Sequence, residues 1–417
     1  MRVQTLLNRM EKFKSFVYGR VKLEERHGES VLLVRIRARK RSRPQCSACG
    51  VRGPVHDHLD EREFEYVPFW GFWVFFVYQM RRVKYPTCGV TVERVPWAEG
   101  KQRMTTTYRW FLAKWAKRLS WTEVATIFGT SWDSVCRAVE LAVEWGRKRR
   151  KLSNVRALGV DEIAWRKGHS YLTLVYDIGE TTRRLLAVAE ERTEVSLRTC
   201  LDQLGSKVCG RLKYVASDMW KPYLNVLAER ASQAIHVLDR FHIMQKFSRA
   251  IDDIRAEEAK RLKADGFEPV LTKSRWCLLK RPENLTTMQS VRLSELLQYN
   301  LKAVRAYLLK EEFQRFWQYT SATWAGKFLD EWTTKVMRSR LDPLKKVVGT
   351  LRNHRDLILN WFRAKRTVSS GVVEALNNQV KLVSRKSYGF RTSRIAELAL
   401  LHNLGDLPEK NITHRFC

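Results

Sequence analysis

Apolar side chains at Tyr108, Phe111, Leu112 and Trp115 recur three to four positions apart, a spacing that lines one face of a helix over Thr107–Leu119. A similar period covers the stretch from Met1 to Gly19, whereas Val31–Arg37 alternates apolar with basic residues as a half-buried strand does. The longest apolar run, Val67–Met80, holds 14 residues with Pro68 and Gly71 inside it, so it is too short for a bilayer and predicts a buried strand. Pro96–Arg103 is polar and reads as a linker.

Two helix starts follow in close order. Ser120-Trp-Thr-Glu123 is a capping box, in which a hydroxyl and a carboxylate satisfy each other's end N–H groups. Phe128-Gly129 ends that helix, and the box-like Thr130-Ser-Trp-Asp133 opens another through Val135, Ala138, Val139 and Leu141. Helix, short glycine turn and helix make the helix-turn-helix pattern, a spacing that an ordinary helical hairpin shares. The basic run Arg147-Lys-Arg-Arg-Lys151 favours DNA binding, with Trp132, Asp133, Ser134 and Arg137 at the groove-entering end of the second helix.

From Val155 the period changes. Ala157–Glu162, Ser170–Asp177 and Arg184–Ala189, with turns at Gly168 and Gly179, predict an antiparallel meander. A helix over Glu194–Leu204 then leads to the apolar strand Lys213-Tyr-Val-Ala-Ser-Asp218, and Ala234–Leu238 predicts a fifth strand before Asp239-Arg-Phe-His242 and a long helix. Two apolar strands ending in Asp, at Asp161 and Asp218, can fix carboxylates at a cleft where they share a metal. Glu162, next on the strand, points to the opposite side and is not expected as a ligand.

Near the end, Arg363–Arg394 holds eight Lys or Arg and the single acid Glu374. Helical geometry puts Glu374, Asn377, Asn378, Lys381 and Arg385 on one outward face, and Val373, Leu376, Val380 and Val383 on the other. An isolated Glu there could pair with Lys381 or Arg385 and do nothing more.

Composition sharpens this picture. Lys and Arg outnumber Asp and Glu by 77 to 44, and a net charge of +33 spread along the whole chain calls for a polyanionic partner touched by several domains. Hydrophobic residues at 44%, with 15 Trp, exclude disorder over most of the chain. Charges at Glu11, Lys12 and Lys14 break any secretory signal, and no apolar run spans a membrane. Among eight cysteines, Cys46 and Cys49 form a CxxC knuckle, and Cys88 follows in Tyr85-Pro-Thr-Cys88-Gly89. Structural zinc takes four soft or borderline ligands. The expected fourth position is Tyr85, so either His56 or His58 completes a zinc ribbon, or free cysteines pack a small β domain.

Four ordered motifs, Gly159-Val-Asp161-Glu162, Ser217-Asp218-Met-Trp-Lys-Pro-Tyr223, Asp239-Arg-Phe-His242 and Ser370-Gly-Val-Val-Glu374-Ala-Leu-Asn-Asn378 continuing to Ser387-Tyr-Gly-Phe390, resemble the transposases of the ISL3 class of bacterial insertion sequences over nearly the whole chain. The resemblance implies a multi-domain α+β protein: a zinc-ribbon-like β domain over 1–95, a helix-turn-helix over 104–152, and a ribonuclease H-like α/β catalytic core over 153–242 and 366–417, split by a helical insertion over 243–365. It implies Asp161, Asp218 and Glu374 as catalytic ligands of two Mg2+ or Mn2+ ions, with zinc at Cys46, Cys49 and Cys88. It further implies double-stranded DNA, as element ends and target, for partner, a homodimer or larger assembly on that DNA, and a bacterial cytoplasmic setting at the nucleoid. Asn377, Asn378, Lys381 and Arg385 would hold phosphates. Asp239 and His242 are accessory candidates, His242 orienting water or phosphate or else packing structurally. A non-catalytic DNA-binding regulator and a structure-selective nuclease of the same fold are the competing readings.

Overall fold

The computed structural model describes residues 2–166, 168–267, 270–365, 367 and 370–411, with Ser370 described by its backbone alone. Met1, Ser369 and the segment 412–417, which the sequence reading included, lie outside the described residues. The chain divides into two units, one within Met1–Arg150 and Val383–Cys417, the other within Lys151–Leu382.

In the first unit the N-terminal helix α1 covers only Val3–Met10, and strand β1 (Phe16–Arg26) begins inside the stretch read as helical. Phe16 and Tyr18 are the reason, because both are buried against Trp97 or Phe76 as strand residues. β1 turns over His27-Gly28 into β2 (Glu29–Ala38).

The run Val67–Met80 is a hairpin and not one strand: β3 (Val55–Phe69) meets β4 (Phe72–Tyr85) across Trp70-Gly71, with Phe69 opposite Phe72. Both turn residues have positive φ, 54° and 79°, the backbone of a two-residue turn whose twist suits the flanking strands. A short β5 (Gly89–Val92) pairs with the end of β4, and the sheet order is β1-β2-β4-β3. The segment read as a linker starts inside the core: Trp97 is 1% exposed, and Glu65 N–H donates to Arg103 O at 2.7 Å, so the stretch runs alongside β3.

Helices α2 (Thr106–Ala116), α3 (Trp121–Ile127) and α4 (Trp132–Arg149) follow. The Ser120–Glu123 capping box is formed in both directions, whereas α4 is capped by Ser131, one residue later than the sequence box suggested. Gly129 takes φ 53°, and a Cβ there would fall 2.8 Å from the Trp73 ring, so the turn needs glycine for both reasons. Helix α16 (Ser393–Leu404) also belongs to this unit.

The second unit opens with β6 (Ala157–Arg166), β7 (Ser170–Ile178) and β8 (Arg183–Glu190), the antiparallel meander expected. Helices α5 (Glu194–Leu204) and α6 (Ser206–Cys209) lead to β9 (Tyr214–Ser217), and α7 (Lys221–Arg230) to β10 (Ile235–Leu238). The order is β10-β9-β6-β7-β8, with β9 parallel to both β6 and β10. Leu158, Val160 and Val175 on one face of the sheet bury Leu197, Leu201, Tyr223 and Val226 of α5 and α7.

Seven further helices, α8 (Arg240–Ala264), α9 (Arg275–Leu279), α10 (Thr287–Leu297), α11 (Lys302–Gln314), α12 (Ala322–Met337), α13 (Asp342–Asn353) and α14 (Arg355–Arg363), enclose a core of their own around Phe247, Phe313, Phe316 and Trp332. Leu238 continues that core onto β10, and Asn360 Nδ2 donates to His236 O at 2.8 Å, so α14 covers an edge strand that would otherwise be open. Helix α15 (Ser370–Lys386) returns the chain to the sheet, and α16 (Ser393–Leu404) follows.

Candidate active site

Along β6 the side chains alternate, so Gly159 and Asp161 share one face while Leu158, Val160 and Glu162 share the other. The face bearing Gly159 receives α15. A Cβ on Gly159 would lie 2.5 Å from Val373 Cγ2, and that missing methyl lets the helix approach. Asn377, one turn on, is 9% exposed; its Nδ2 donates to Asp161 Oδ2 at 2.5 Å and its Oδ1 accepts from Tyr176 OH at 2.7 Å. The helical face expected to point outward is thus narrower than the spacing suggested: Asn377 turns inward with Val373, Leu376, Val380 and Val383, while Glu374, Asn378, Lys381 and Arg385 are exposed.

Asp161 Oδ1 also accepts from Glu162 N–H at 2.8 Å. Burial raises the Asp161 pKa above the ordinary carboxylate range, opposed by that backbone bond, by His242 and by Asn377, while Asp239 pushes it further up. Asp239 and His242 therefore belong to the surroundings of Asp161, and they face each other at 3.7 Å. Asp239 caps α8 by accepting from Phe241 N–H at 2.7 Å.

Asp218 stands just past the end of β9. Its Oδ1 accepts from Trp220 N–H at 3.0 Å and its Oδ2 from Arg192 Nη2 at 3.0 Å. Arg192 Nε also lies 3.0 Å from Glu162 Oε1, and the guanidinium carbon sits 4.5 Å from the centre of the Trp220 ring. One cation thus links Glu162 to Asp218. Burial, then Asp218, push the Glu162 pKa up to about 7 against the pull of Arg192. The other oxygen, Glu162 Oε2, is buried with no hydrogen-bond partner. Carboxylate oxygens such as those of Asp161 and Asp218 are the donors that a hard divalent cation takes.

Among the described residues, the set of three or more ligand atoms lying within 4.8 Å of one another is Cys46, Cys49 and Cys88; Asp161, Asp218 and Glu374 do not form such a set. Cys46 is buried and its Sγ lies 3.1 Å from Thr91 Oγ1; that contact and backbone N–H groups at the knuckle draw its thiol down to about 6. Neither His56 nor His58 joins the three sulfurs, and Tyr85 O accepts from Cys88 N–H at 3.3 Å at the mouth of the turn. Three converging thiols, one of them already acidic, suit a soft or borderline ion.

On the helix-turn-helix, Asp133 and Arg137 are exposed and Ser134 half-buried. Trp132 is held between the Trp121 ring, 5.3 Å away, and Arg391, 5.0 Å away, which gives it a packing role besides the one expected. The basic run behind it is partly engaged as well: Arg147 pairs with Glu397 at 2.8 Å and Arg149 stacks on Trp145.

Sequence reasoning missed Arg192, Tyr176 and Trp220. Arg192 sits in a short loop with no periodic context; Trp220 had a signal in the Asp218-Met-Trp-Lys-Pro motif, where a carboxylate can accept from the backbone two residues on.

A family model described as a transposase of the DDE, ISL3 type matches residues 158–399. The transposase for insertion sequence element IS1001 of Bordetella parapertussis is 29% identical over 350 residues, covering 83% of this chain and 85% of that protein. The transposase for insertion sequence element IS1557 of Mycobacterium tuberculosis, in strains CDC 1551 / Oshkosh and H37Rv, is 27% identical over 413 residues, covering 90% of this chain and 89% of its own.

Proposed function

The chain belongs to the ISL3 family of DDE transposases, and from that premise we propose that it binds the ends of its insertion sequence, cuts there, and joins the freed ends to target DNA through Asp161, Asp218 and Glu374. The observation that carries the site is the Asn377–Asp161 hydrogen bond, which brings the helix of Glu374 against the strand of Asp161.

Asp161, Asp218 and Glu374 are the ligands we assign to two Mg2+ or Mn2+ ions; carboxylates on and just past adjacent strands β6 and β9, with the Asp161 pKa raised by burial, support that fit. Such ions, when bound, stabilise charge on the attacking and leaving oxygens of a phosphodiester. The protein's own part is to hold geometry. Asn377 fixes the rotamer of Asp161, Trp220 N–H fixes Asp218, and Arg192 pairs with both Glu162 and Asp218. Exposed Asn378, Lys381 and Arg385 on α15 receive backbone phosphates, with His242 beside Asp161 orienting a phosphate or water. Hydrolysis at an element end frees a 3′ hydroxyl; that hydroxyl then attacks a target phosphorus, forming one P–O bond as another breaks.

In this reading a ribonuclease H-like core covers 153–242 and 366–417, split by a helical insertion over 243–365, and follows a zinc-ribbon-like domain over 1–95 and a helix-turn-helix over 104–152. Within the last, Trp132, Asp133, Ser134 and Arg137 address DNA bases. Cys46, Cys49 and Cys88 hold zinc in this reading, and Cys88→Ser should lose one zinc per chain in elemental analysis. No helix among the described residues is long and apolar enough to cross a membrane, and we place the protein at the bacterial nucleoid, acting as a dimer or larger assembly because two ends must be joined.

The test uses paired end DNA and a supercoiled target. The wild type should yield joined products with Mg2+; Asp161→Asn, Asp218→Asn and Glu374→Gln should each abolish cleavage and leave end binding within about twofold. Cleavage that persists in all three variants would overturn the assignment. Cleavage without joining would make the protein a nuclease.

A further inference from the structure

The N-terminal sheet carries an open cavity of about 390 Å³, lined by Lys12 and Lys14 from the turn before β1, Arg43 and Arg52 from either side of the cysteine knuckle, and Arg94 just after β5. All five are exposed, and none has a carboxylate partner among the described residues. The lining holds one acid, Glu93, and it does not neutralise them. Glu93 is fully buried, in a bidentate pair with Arg81 at 2.7–3.1 Å and accepting from Tyr78 OH at 2.5 Å. Arg81 in turn donates to Ser42 O at 3.0 Å, which ties the pair to the loop bearing Arg43.

The loop geometry is fixed by the knuckle. Gln45 bridges to Arg52, Cys46 bridges to Glu93, and Arg94 N–H donates to Gln45 O at 2.7 Å, so the segment that gathers the thiols also aims three arginines into one space. Five cationic side chains around one cavity give it a positive field that favours an anion. A buried, saturated ion pair as floor with unpaired cations as walls is an arrangement for a polyanion backbone.

We propose that this cavity is a second DNA contact, separate from the helix-turn-helix, that grips the phosphodiester backbone through Lys12, Lys14, Arg43, Arg52 and Arg94. The contact reads charge and not sequence, and the cysteine knuckle serves it by holding Arg43 and Arg52 in register. It rests on the reading of the chain as a DNA-binding transposase.

The experiment measures affinity of the full chain for an element-end duplex and for a random duplex as NaCl is raised. Arg52→Gln combined with Arg94→Gln should weaken both duplexes alike and lower the slope of log K against log salt by about 0.9 for each phosphate no longer neutralised. Arg52→Lys combined with Arg94→Lys should restore the slope. Circular dichroism controls for folding. Wild-type affinity with no salt dependence would sink the DNA reading itself. A steep wild-type slope that the Gln variants leave unchanged would overturn the cavity alone, as would an effect confined to the element-end duplex.

Discussion

Asn377 donates to Asp161 at 2.5 Å across 216 residues of sequence, and the same amide accepts from Tyr176. The bond joins distant parts of the second unit: strand β6 opens that unit, and helices α8 to α14 separate it in sequence from α15. An amide suits the position because it has a donor for the carboxylate and an acceptor for the phenol, which neither a carboxylate nor an ammonium offers together.

Replacing that amide should therefore cost both stability and chemistry. Asn377→Ala takes the hydrogen-bond partner from the buried Tyr176 hydroxyl and from Asp161 Oδ2, and should lower the unfolding free energy by about 1–3 kcal/mol. Asn377→Asp puts a second carboxylate against Asp161 and should shift the pH profile of cleavage to higher pH, since a neighbouring negative charge raises the Asp161 pKa further. Urea denaturation and pH–rate profiles check the pair. An Asn377→Ala protein with unchanged midpoint and unchanged cleavage would show that the bond holds nothing in place.

Gly159 tests the same junction by volume. Its added Cβ would meet Val373 at 2.5 Å and Ile178 at 3.0 Å, both of them packed side chains. Gly159→Ala should destabilise by about 1–3 kcal/mol through overpacking and displace the helix of Glu374, so cleavage should fall more than end binding does. Gly159→Ala combined with Val373→Ala should recover part of the loss. If the single substitution leaves both stability and cleavage intact, the close approach is not needed.

Much of this was legible in the sequence because the signals were local. The meander, the place of Asp218 just past β9 and the Ser120 capping box follow from alternation and cap chemistry over a few residues, and the structure puts them where those rules do; Asp161, expected at a strand end, lies mid-strand instead, because β6 runs on to Arg166. Where reading failed, the deciding contact was distant. The Val67–Met80 run is apolar throughout, and only the backbone at Trp70-Gly71 divides it. The stretch before Arg20 has a helical period, yet Phe16 is claimed by Trp97, from the segment after β5, and Tyr18 by Phe76 of β4. Asn377 lies at the edge of a helical face, where angle alone does not decide burial, and its direction is set by Asp161 and Tyr176.

Glu65 gives a pH dependence with a definite sign. Burial alone pushes its pKa from an ordinary 4.5 up to about 7, so between these values the folded chain binds more protons than the unfolded one. Stability from this group is then fully present below pH about 4.5 and is lost as pH rises through about 7. Glu65→Gln, which stays neutral, should gain on the wild type over that window and run parallel to it above pH 8. Urea midpoints at pH 5 and pH 8 measure the difference. Equal gaps at the two values would mean that Glu65 is ionised throughout.

Arg192 holds the place of a cation. Its guanidinium lies 3.0 Å from Glu162 Oε1 and from Asp218 Oδ2, stacked over Trp220, so a dication taking Asp218 must compete with it. Removing the arginine has opposite effects in the two states. Without metal, Arg192→Gln leaves Glu162 and Asp218 facing each other unpaired and should lower stability by about 1–3 kcal/mol, the smaller end applying because the pair is partly solvated. With Mg2+ the competitor is gone, so the ion should bind the variant more tightly and raise its Tm by more than it raises that of the wild type. Thermal unfolding in EDTA and across a Mg2+ titration reads both effects without any cleavage assay. Weaker Mg2+ binding in Arg192→Gln would reverse the argument, because the arginine would then be holding Asp218 ready for the ion instead of standing in for it.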